Sequence, residues 1–222
     1  MPKLSNKYHK IMSPFKRRLD GDRSLIIGDW STPELNYLQD LQWEFTEKID
    51  GMNIRIHWDG SEVNFAGRSD DAVIPTQLLQ KLTMTFKDSE GLARLKSTFD
   101  YPDDTIEPLS VTLYGEGYGA GIQKAGRNYI PDGKDFILFD VKVGNVYLKR
   151  DAVNDIAKKL NILSVPVMGH GTLADGFNMA KAGIKSAFGD FQAEGTVARP
   201  MVELFTRMHD RVIVKIKCVD FK

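Results

Sequence analysis

The sequence predicts an α+β protein in which most strands pair antiparallel and helices flank the sheets. Two observations predict this class. Strand-like segments follow one another through short turns, most clearly between residues 52 and 65, where apolar and polar residues alternate around an Asp-Gly turn. Helical spacing occurs in separate segments between the strands, and no internal repeat or low-complexity linker interrupts the chain.

Composition places the chain among ordinary globular proteins. Of its 222 residues, 42% are hydrophobic and 27% charged, and 30 basic side chains balance 30 acidic ones, so a bulk polycation is excluded. The single cysteine, Cys218, cannot form an internal disulfide, which favours a reducing, cytoplasmic location. No apolar segment approaches the roughly 20 residues that cross a bilayer, so we expect neither a membrane partner nor a signal peptide.

The first 40 residues are predicted to be a basic, irregular segment with one short strand near Leu25–Ile27, ahead of one domain over residues 41–222. Residues 1–23 hold 7 basic and 2 acidic side chains. The cluster Lys16-Arg17-Arg18 is compatible with contact to a nucleic-acid backbone and equally with a solvated run of charge.

The segment 52–65 predicts a β-hairpin. Apolar residues alternate with Asn53, Arg55 and His57, and Asp59-Gly60 supplies the turn. The apolar side chains should face a core, and Asn53 and Arg55 should face a cleft or solvent.

The remaining elements follow from periodicity and turn residues. Helical spacing predicts helices over 78–86 and 92–99, broken at Gly91 and ended by the acidic loop Asp100–Glu107. Two more helices are predicted, one capped by Asp151 and ending at Lys158 and Lys159, the other over 173–188. Strands are predicted over 111–114, 136–141, 146–148, 196–198 and 212–217.

Lys48 is the first candidate for chemistry, in the segment Lys48-Ile49-Asp50-Gly51. A lysine ammonium becomes a useful nucleophile when burial or neighbouring cations depress its pKa. The turn at Asp50-Gly51 would direct the side chain inward. The alternative is a solvated lysine at the end of a strand.

Lys215 and Lys217 form a second candidate group near the other end of the chain. Strict alternation from residue 212 to 217 puts both lysines on one face of a strand. Beside an inward-facing Lys48, the two lysines would supply positive charge for a polyphosphate. They would also disfavour the protonation of Lys48. Alone, they would indicate an edge strand protected by lysine.

Five short motifs occur in order, namely Lys48-Ile49-Asp50-Gly51, Gly115-Glu116, Phe139-Asp140, Glu194-Gly195 and Lys215-Ile216-Lys217. With this set the chain resembles the covalent nucleotidyltransferase superfamily of ATP-dependent ligases and mRNA capping enzymes, from Trp43 to the end. The resemblance implies the ATP-grasp-like adenylation domain of ligases. No C-terminal OB domain is expected, because only five residues follow the last motif.

Two further residues indicate the RNA ligases within that superfamily. DNA ligases and capping enzymes usually have arginine five residues after the nucleophilic lysine, whereas nick-sealing RNA ligases have asparagine, and Asn53 stands here. Arg68, in Gly67-Arg68-Ser69, matches an arginine that those RNA ligases place after the hairpin. The segment 115–124 is similar to the branch that seals breaks with an RNA 3′-OH strand.

The resemblance also implies a role for each site residue. Lys48 would be the adenylated nucleophile, with Glu47 and Asn53 contacting the nucleotide. Arg68 would hold phosphate or ribose, Glu116 would bind the ribose and Phe139 would stack on adenine. Glu194 would bind or orient a divalent metal, and Lys215 and Lys217 would hold the phosphates.

The predicted function is therefore an ATP-dependent RNA ligase that uses ATP and Mg2+ or Mn2+ and joins 3′-OH and 5′-phosphate ends of RNA, through lysyl-AMP and an adenylated end, in RNA repair. Two alternatives stay open at this point. One is a DNA ligase or a capping-type guanylyltransferase, and the other is a non-catalytic nucleic-acid-binding module. The sequence makes no prediction of oligomeric state.

Overall fold

The computed structural model describes residues 7–99 and 110–221. Contacts divide the chain into two compact units. The central unit, named for its place in the sequence, contains Asp50–Val165 and the start of the chain up to Tyr8, and the terminal unit contains His9–Ile49 and Pro166–Lys222. The predicted acidic loop Asp100–Glu107 lies outside the described residues.

The elements are numbered in chain order over the described residues. The strands are β1 (Phe15–Arg17), β2 (Leu25–Trp30), β3 (Trp43–Glu47), β4 (Met52–Trp58), β5 (Val63–Ala66), β6 (Val111–Gly119), β7 (Lys134–Val143), β8 (Val146–Tyr147), β9 (Leu163–Ser164), β10 (Val167–Gly171), β11 (Gly195–Pro200) and β12 (Val214–Lys217). The helices are α1 (Pro33–Leu38), α2 (Thr76–Phe86), α3 (Ser89–Phe99), α4 (Gly126–Tyr129), α5 (Arg150–Lys159) and α6 (Leu173–Ala182), and a short 3-10 helix spans Cys218–Asp220.

The central unit is built on a sheet with strand order β5-β4-β6-β7-β8, and β9 pairs in parallel with β7. The predicted hairpin is confirmed as β4 and β5, joined by a turn in which Gly60 has φ of 100°. Ile54, Ile56 and Trp58 lie in the core as expected, packed with α2, α3 and α5. The antiparallel α+β class is confirmed.

Helices α2 and α3 confirm the two predicted helices, but the break falls at Lys87 and Asp88, and Gly91 lies inside α3. A Cβ at Gly91 would lie 2.3 Å from the carbonyl oxygen of Thr85. Glycine is therefore needed there so that the two helices can approach closely. Its presence in the sequence reflects this packing and not a break in the helix.

The terminal unit contains a four-stranded sheet of order β10-β3-β11-β12 and a hairpin formed by β1 and β2. All three neighbouring pairs of the sheet are antiparallel. Trp43 and Phe45 of β3 and Ile216 of β12 are fully buried and pack with α6.

Four further expectations about local structure were wrong. Residues 7–40 are not irregular: besides the expected strand near Leu25, which belongs to β2, they form β1 and α1. These elements of three and six residues are too short to show periodicity, and β1 is fixed by the packing of Phe15 on Trp30 and Phe177.

The other three errors concern the ends of elements. Lys149 occupies the N-cap position of helix α5 without a side-chain hydrogen bond, and Asp151 lies in the first turn, where an acidic side chain is also favourable. Helix α6 ends at Ala182 rather than at residue 188, because Gly183 adopts φ of 86°. Strand β12 begins at Val214, two residues later than expected.

Candidate active site

Lys48 follows β3, an interior strand whose five residues are all buried. The backbone N–H of Glu47 donates to the carbonyl of Pro166 and that of Lys48 donates to the carbonyl of Gly195, each at 2.9 Å. Hydrogen bonds on both sides therefore fix the strand end that carries the lysine. Its side chain is 23% exposed, so the ammonium is half-buried but reachable.

Glu194 lies between two lysines. Its Oε2 accepts from Nζ of Lys48 at 2.5 Å, and its Oε1 pairs with Nζ of Lys217 at 2.6 Å. Residues near 48, 194 and 217 meet because β11 pairs with both β3 and β12, with Gly195 opposite Lys217 and Thr196 opposite Glu47. Three charged groups from three strand ends thus form one cluster within the terminal unit.

Gly195 makes this approach of β11 and β12 possible. A Cβ on this residue would lie 2.0 Å from the carbonyl oxygen of Ile216, which is far inside van der Waals contact. The close approach of the two strands therefore explains why a glycine follows Glu194.

The electrostatics of the cluster follow from partial burial. Burial alone would raise the pKa of Glu194, but the charges and hydrogen bonds of Lys48 and Lys217 outweigh it and lower the pKa below its usual value. The carboxylate is therefore ionised at neutral pH.

Lys215 belongs to the same positive field. Its strand alternates buried Val214 and Ile216 with half-buried Lys215 and Lys217, so the two lysines share a face as the period-two pattern predicts. Burial lowers the pKa of Lys215, and the charges of Lys217 and Lys48 lower it further. The protein thus holds a cation here against an unfavourable environment.

Glu47 is buried, and its carboxylate has protein partners. The hydroxyl of Ser186 donates to Oε1 at 2.6 Å and the N–H of Ala187 donates to Oε2 at 2.9 Å. The loop that supplies both donors runs between α6 and Glu194. Sequence reasoning missed Ser186 and Ala187, and no local pattern signals a contact across 139 positions.

In the central unit, Asn53 of β4 lies opposite Glu116 of β6. The buried Oδ1 of Asn53 has no hydrogen-bond partner among the described residues. A polar atom in this situation is costly unless it binds water or a ligand. Nearby, a Cβ on Gly51 would lie 2.3 Å from the carbonyl oxygen of Gly117, so the glycine of the first motif is required by close packing.

Arg68 is exposed in the turn that follows β5. That turn is held by Arg55, whose Nε donates to the carbonyl of Gly67 at 2.9 Å and whose guanidinium pairs with Asp70 at 2.6 Å. Arg55 is 1% exposed, so the expectation that it faces a cleft or solvent was wrong. Alternation along the strand correctly predicts on which face of the sheet Arg55 lies. It does not predict which residues cover that face.

Phe139 is half-buried in β7 at a β-bulge, where Tyr114 is opposite Asp140 and Gly115 is opposite Leu138. The guanidinium of Arg150 donates to its carbonyl at 3.1 Å. The structure thus gathers Glu47, Lys48, Glu194, Lys215 and Lys217 in the terminal unit, while Asn53, Arg68, Glu116 and Phe139 belong to the central unit.

A comparison with protein families matches residues 41–217 to the family described as RNA ligase. The chain belongs to the RNA ligase family. This confirms the resemblance found from the ordered motifs.

Solved structures of RNA ligases share the fold. The chain is similar to Naegleria gruberi RNA ligase with PPi (20% identity, TM-score 0.61), covering 98% of this chain and 61% of that one. It is also similar to mutants of the same ligase with AMP and Mn (20% identity, TM-score 0.62, covering 97% and 61%) and with ATP and Mn (19% identity, TM-score 0.60, covering 83% and 52%). The chain spans about half to three fifths of their length. No curated protein sequence matches it.

The acidic residues of this RNA ligase family member fit a cation that needs few protein ligands. Among residues 7–99 and 110–221, no group of three His, Cys, Asp or Glu side chains could hold a metal. Glu194 offers one ionised carboxylate. Mg2+ is usually bound through one or two carboxylates and completes its shell with water and phosphate oxygens, so this donor set suits it.

Over residues 7–99 and 110–221, no helix has the length and apolarity that a membrane span requires.

Proposed function

We propose that this protein is an ATP-dependent RNA ligase that joins 3′-OH and 5′-phosphate ends. The observation that carries the proposal is the cluster in which Lys48 and Lys217 both bind the carboxylate of Glu194. Membership of the RNA ligase family supports it, as does the likeness to a Naegleria gruberi ligase solved with ATP and Mn, with AMP and Mn, and with PPi.

The first step forms a covalent adenylate on Lys48. Its Nζ attacks the α-phosphorus of ATP, an N–P bond forms, and the bond from that phosphorus to the bridging oxygen breaks to release pyrophosphate. Nζ must give up a proton so that its electron pair is available. In the resting protein Nζ donates to Oε2 of Glu194 at 2.5 Å, and the proton that Nζ gives up passes to that oxygen or to solvent.

The same cations would stabilise the phosphates. Negative charge accumulates on the pyrophosphate as it leaves, and half-buried ammonium groups interact with it more strongly than solvated ones. Glu194 would hold Mg2+ or Mn2+ when bound, and such an ion supplies further neutralisation of phosphate charge. Lys215 and Lys217 share one face of β12, which supports a joint role at the phosphates.

For the nucleoside we propose the roles that the family resemblance implies. Asn53 and Glu116 contact the nucleotide and its ribose, Arg68 holds a phosphate or the ribose, and Phe139 stacks on adenine. The unpartnered Oδ1 of Asn53 supports a ligand contact at that atom. For Glu47 the resemblance implies a nucleotide contact too; its carboxylate is engaged by Ser186 and Ala187 in this structure, so that contact would need these hydrogen bonds to be exchanged.

The later steps use RNA ends. AMP passes from Lys48 to a 5′-phosphate, forming a phosphoanhydride as the N–P bond breaks. A 3′-OH then attacks that 5′-phosphorus, a phosphodiester forms and AMP leaves. We propose RNA repair as the setting, residues 41–222 as the nucleotidyltransferase domain and the cytoplasm as the location. The family match over residues 41–217 supports the domain, and the buried, free Cys218 agrees with a reducing compartment.

The first experiment asks for the covalent intermediate. Protein incubated with ATP and Mg2+ should gain about 329 Da, the mass of an AMP adduct, by mass spectrometry at neutral pH, because a Lys–P bond is acid-labile. Lys48→Ala should abolish the gain, and Lys159→Ala, on the surface of α5, should keep it. Absence of the adduct from the wild type would favour a non-catalytic nucleic-acid-binding module, and labelling by GTP alone would favour a guanylyltransferase.

The second experiment asks for the substrate. Matched nicked duplexes with RNA or DNA on each side of the break should be sealed only when the 3′-OH strand is RNA. Sealing of all-DNA nicks at an equal rate would contradict the assignment to RNA.

A further inference from the structure

Tyr8 lies against β7 where that strand carries Phe139 and Asp140. Its hydroxyl donates to Oδ2 of Asp140 at 2.8 Å. Its ring meets the ring of Phe139 edge to face, with centroids 5.1 Å apart. One side chain near the start of the chain therefore contacts two consecutive residues of the central sheet.

Phe139 needs such a contact because it occupies the bulge. On β7, Leu138 lies opposite Gly115 and Asp140 lies opposite Tyr114, so Phe139 is the extra residue of the bulge. A bulge bends the strand locally, so strand alternation does not set the direction of this side chain. Arg150 fixes the carbonyl of Phe139, and Tyr8 packs on its ring.

The anchor of Tyr8 is itself well fixed. Asp140 is fully buried, and its Oδ1 accepts the N–H of Val141 at 3.1 Å while its Oδ2 accepts from Tyr8. The ring of Tyr8 also packs on Tyr114 of β6, with centroids 4.9 Å apart. The hydroxyl and both ring contacts together allow the Tyr8 ring little freedom beside Phe139.

We propose that Tyr8 is a positioning residue for nucleobase recognition: it holds the ring of Phe139 in the orientation that stacks on adenine. The proposal rests on the proposed function, which assigns the stacking role to Phe139. Tyr8 acts through Phe139 and does not contact the phosphates. Its loss should therefore weaken the recognition of the base and leave the recognition of the phosphates unchanged.

Equilibrium binding of two probes tests this. ATP carries the base and the phosphates, and inorganic tripolyphosphate carries the phosphates alone. Tyr8→Ala should weaken ATP binding by about 3- to 10-fold, the range expected for one aromatic pair, and change tripolyphosphate binding less than twofold. Tyr8→Phe keeps the ring and should lose less. Tyr37→Ala, at an 85% exposed position of α1, should match the wild type for both probes.

The outcomes separate this inference from the proposed function. Unchanged ATP binding in Tyr8→Ala, or an equal loss for both probes, overturns the positioning role. If Tyr8→Ala does not fold, Tyr8→Leu keeps the apolar volume without the edge-to-face contact, and the same selective loss is expected. A wild type that binds ATP but never forms lysyl-AMP would overturn the ligase proposal, while the ATP and tripolyphosphate data would still judge Tyr8.

Discussion

Glu47 and Ser186 are 139 positions apart in the chain, yet their side chains share a hydrogen bond of 2.6 Å. Glu47 directly precedes Lys48, and the loop that contains Ser186 leads to Glu194. Two neighbouring residues therefore bind one segment, since Glu47 accepts hydrogen bonds from its beginning and Lys48 donates to its end. This arrangement couples the position of the loop to the position of the lysine.

The first prediction concerns this coupling. Glu47→Ala leaves the buried hydroxyl of Ser186 and the N–H of the exposed residue Ala187 without their acceptor, so the free energy of unfolding should fall by about 1–3 kcal/mol. Glu47→Gln keeps one acceptor and should lose less. Urea denaturation measures both. The matched control is Ser186→Ala, which removes one donor of the pair.

The double variant sharpens the test. If the two side chains act together, the losses in Glu47→Ala and Ser186→Ala should not add when both are present, and the yield of lysyl-AMP should follow the same pattern. Strictly additive losses would show that Glu47 acts independently of the loop.

The second prediction concerns Glu194 and acid. Its folded-state pKa is below the unfolded value near 4.5, so its ionised form contributes stability above that pH, and the contribution is lost as the pH falls through the folded-state pKa. Glu194→Gln removes this dependence. The difference in urea midpoint between wild type and variant should therefore shrink below about pH 4.5. A difference that stays constant from pH 7 to pH 3 would contradict the ion-pair cluster.

Much of the fold follows from sequence because its signals are local. The hairpin of β4 and β5 shows as alternation around Asp59-Gly60, and the shared face of Lys215 and Lys217 follows from period two. The predictions that failed concern elements whose structure is set by tertiary packing. Strand β1 depends on Phe15 meeting Phe177, and Gly91 serves the approach of two helices rather than a break.

The candidate site divides in the same way. Ordered motifs indicate Lys48, Glu194 and Lys217, and the pairing of β11 with its two neighbours brings them together. The supporting contacts could not be predicted, because they join distant residues without any local pattern. Ser186 and Glu47 are 139 positions apart, and Tyr8 and Asp140 are 132 positions apart. Arg55 shows a related limit, since alternation reports the face of a strand but not its burial.

The third prediction concerns the strand pair. Gly195→Ala puts a Cβ against the backbone of Ile216, so β11 and β12 must separate and the free energy of unfolding should fall by about 2 kcal/mol or more. Lysyl-AMP formation should fall with it, because Lys217 and Glu194 move apart. Gly189→Ala is the control: its Cβ would meet only the ring of Phe191, at 3.3 Å. Equal stability of both variants in urea would show that the strands can yield there.

The fourth prediction sets stability against activity at Lys215. Its pKa is lowered by folding, so the unfolded chain binds more protons between the two pKa values, and the charged side chain destabilises the folded protein at neutral pH. Lys215→Met keeps the length of the side chain without the charge and should raise the urea midpoint at pH 7. It should also slow lysyl-AMP formation by roughly 10- to 100-fold, because one charge-assisted contact to phosphate is lost. The gain in stability over wild type should be complete below the folded-state pKa and should shrink as the pH rises from that pKa towards the unfolded value of 10.5, above which Lys215 is neutral in both states. Lys185→Met, at a lysine exposed on the loop after α6, should change neither quantity. A Lys215→Met protein that is less stable yet fully active would place this lysine outside the phosphate site.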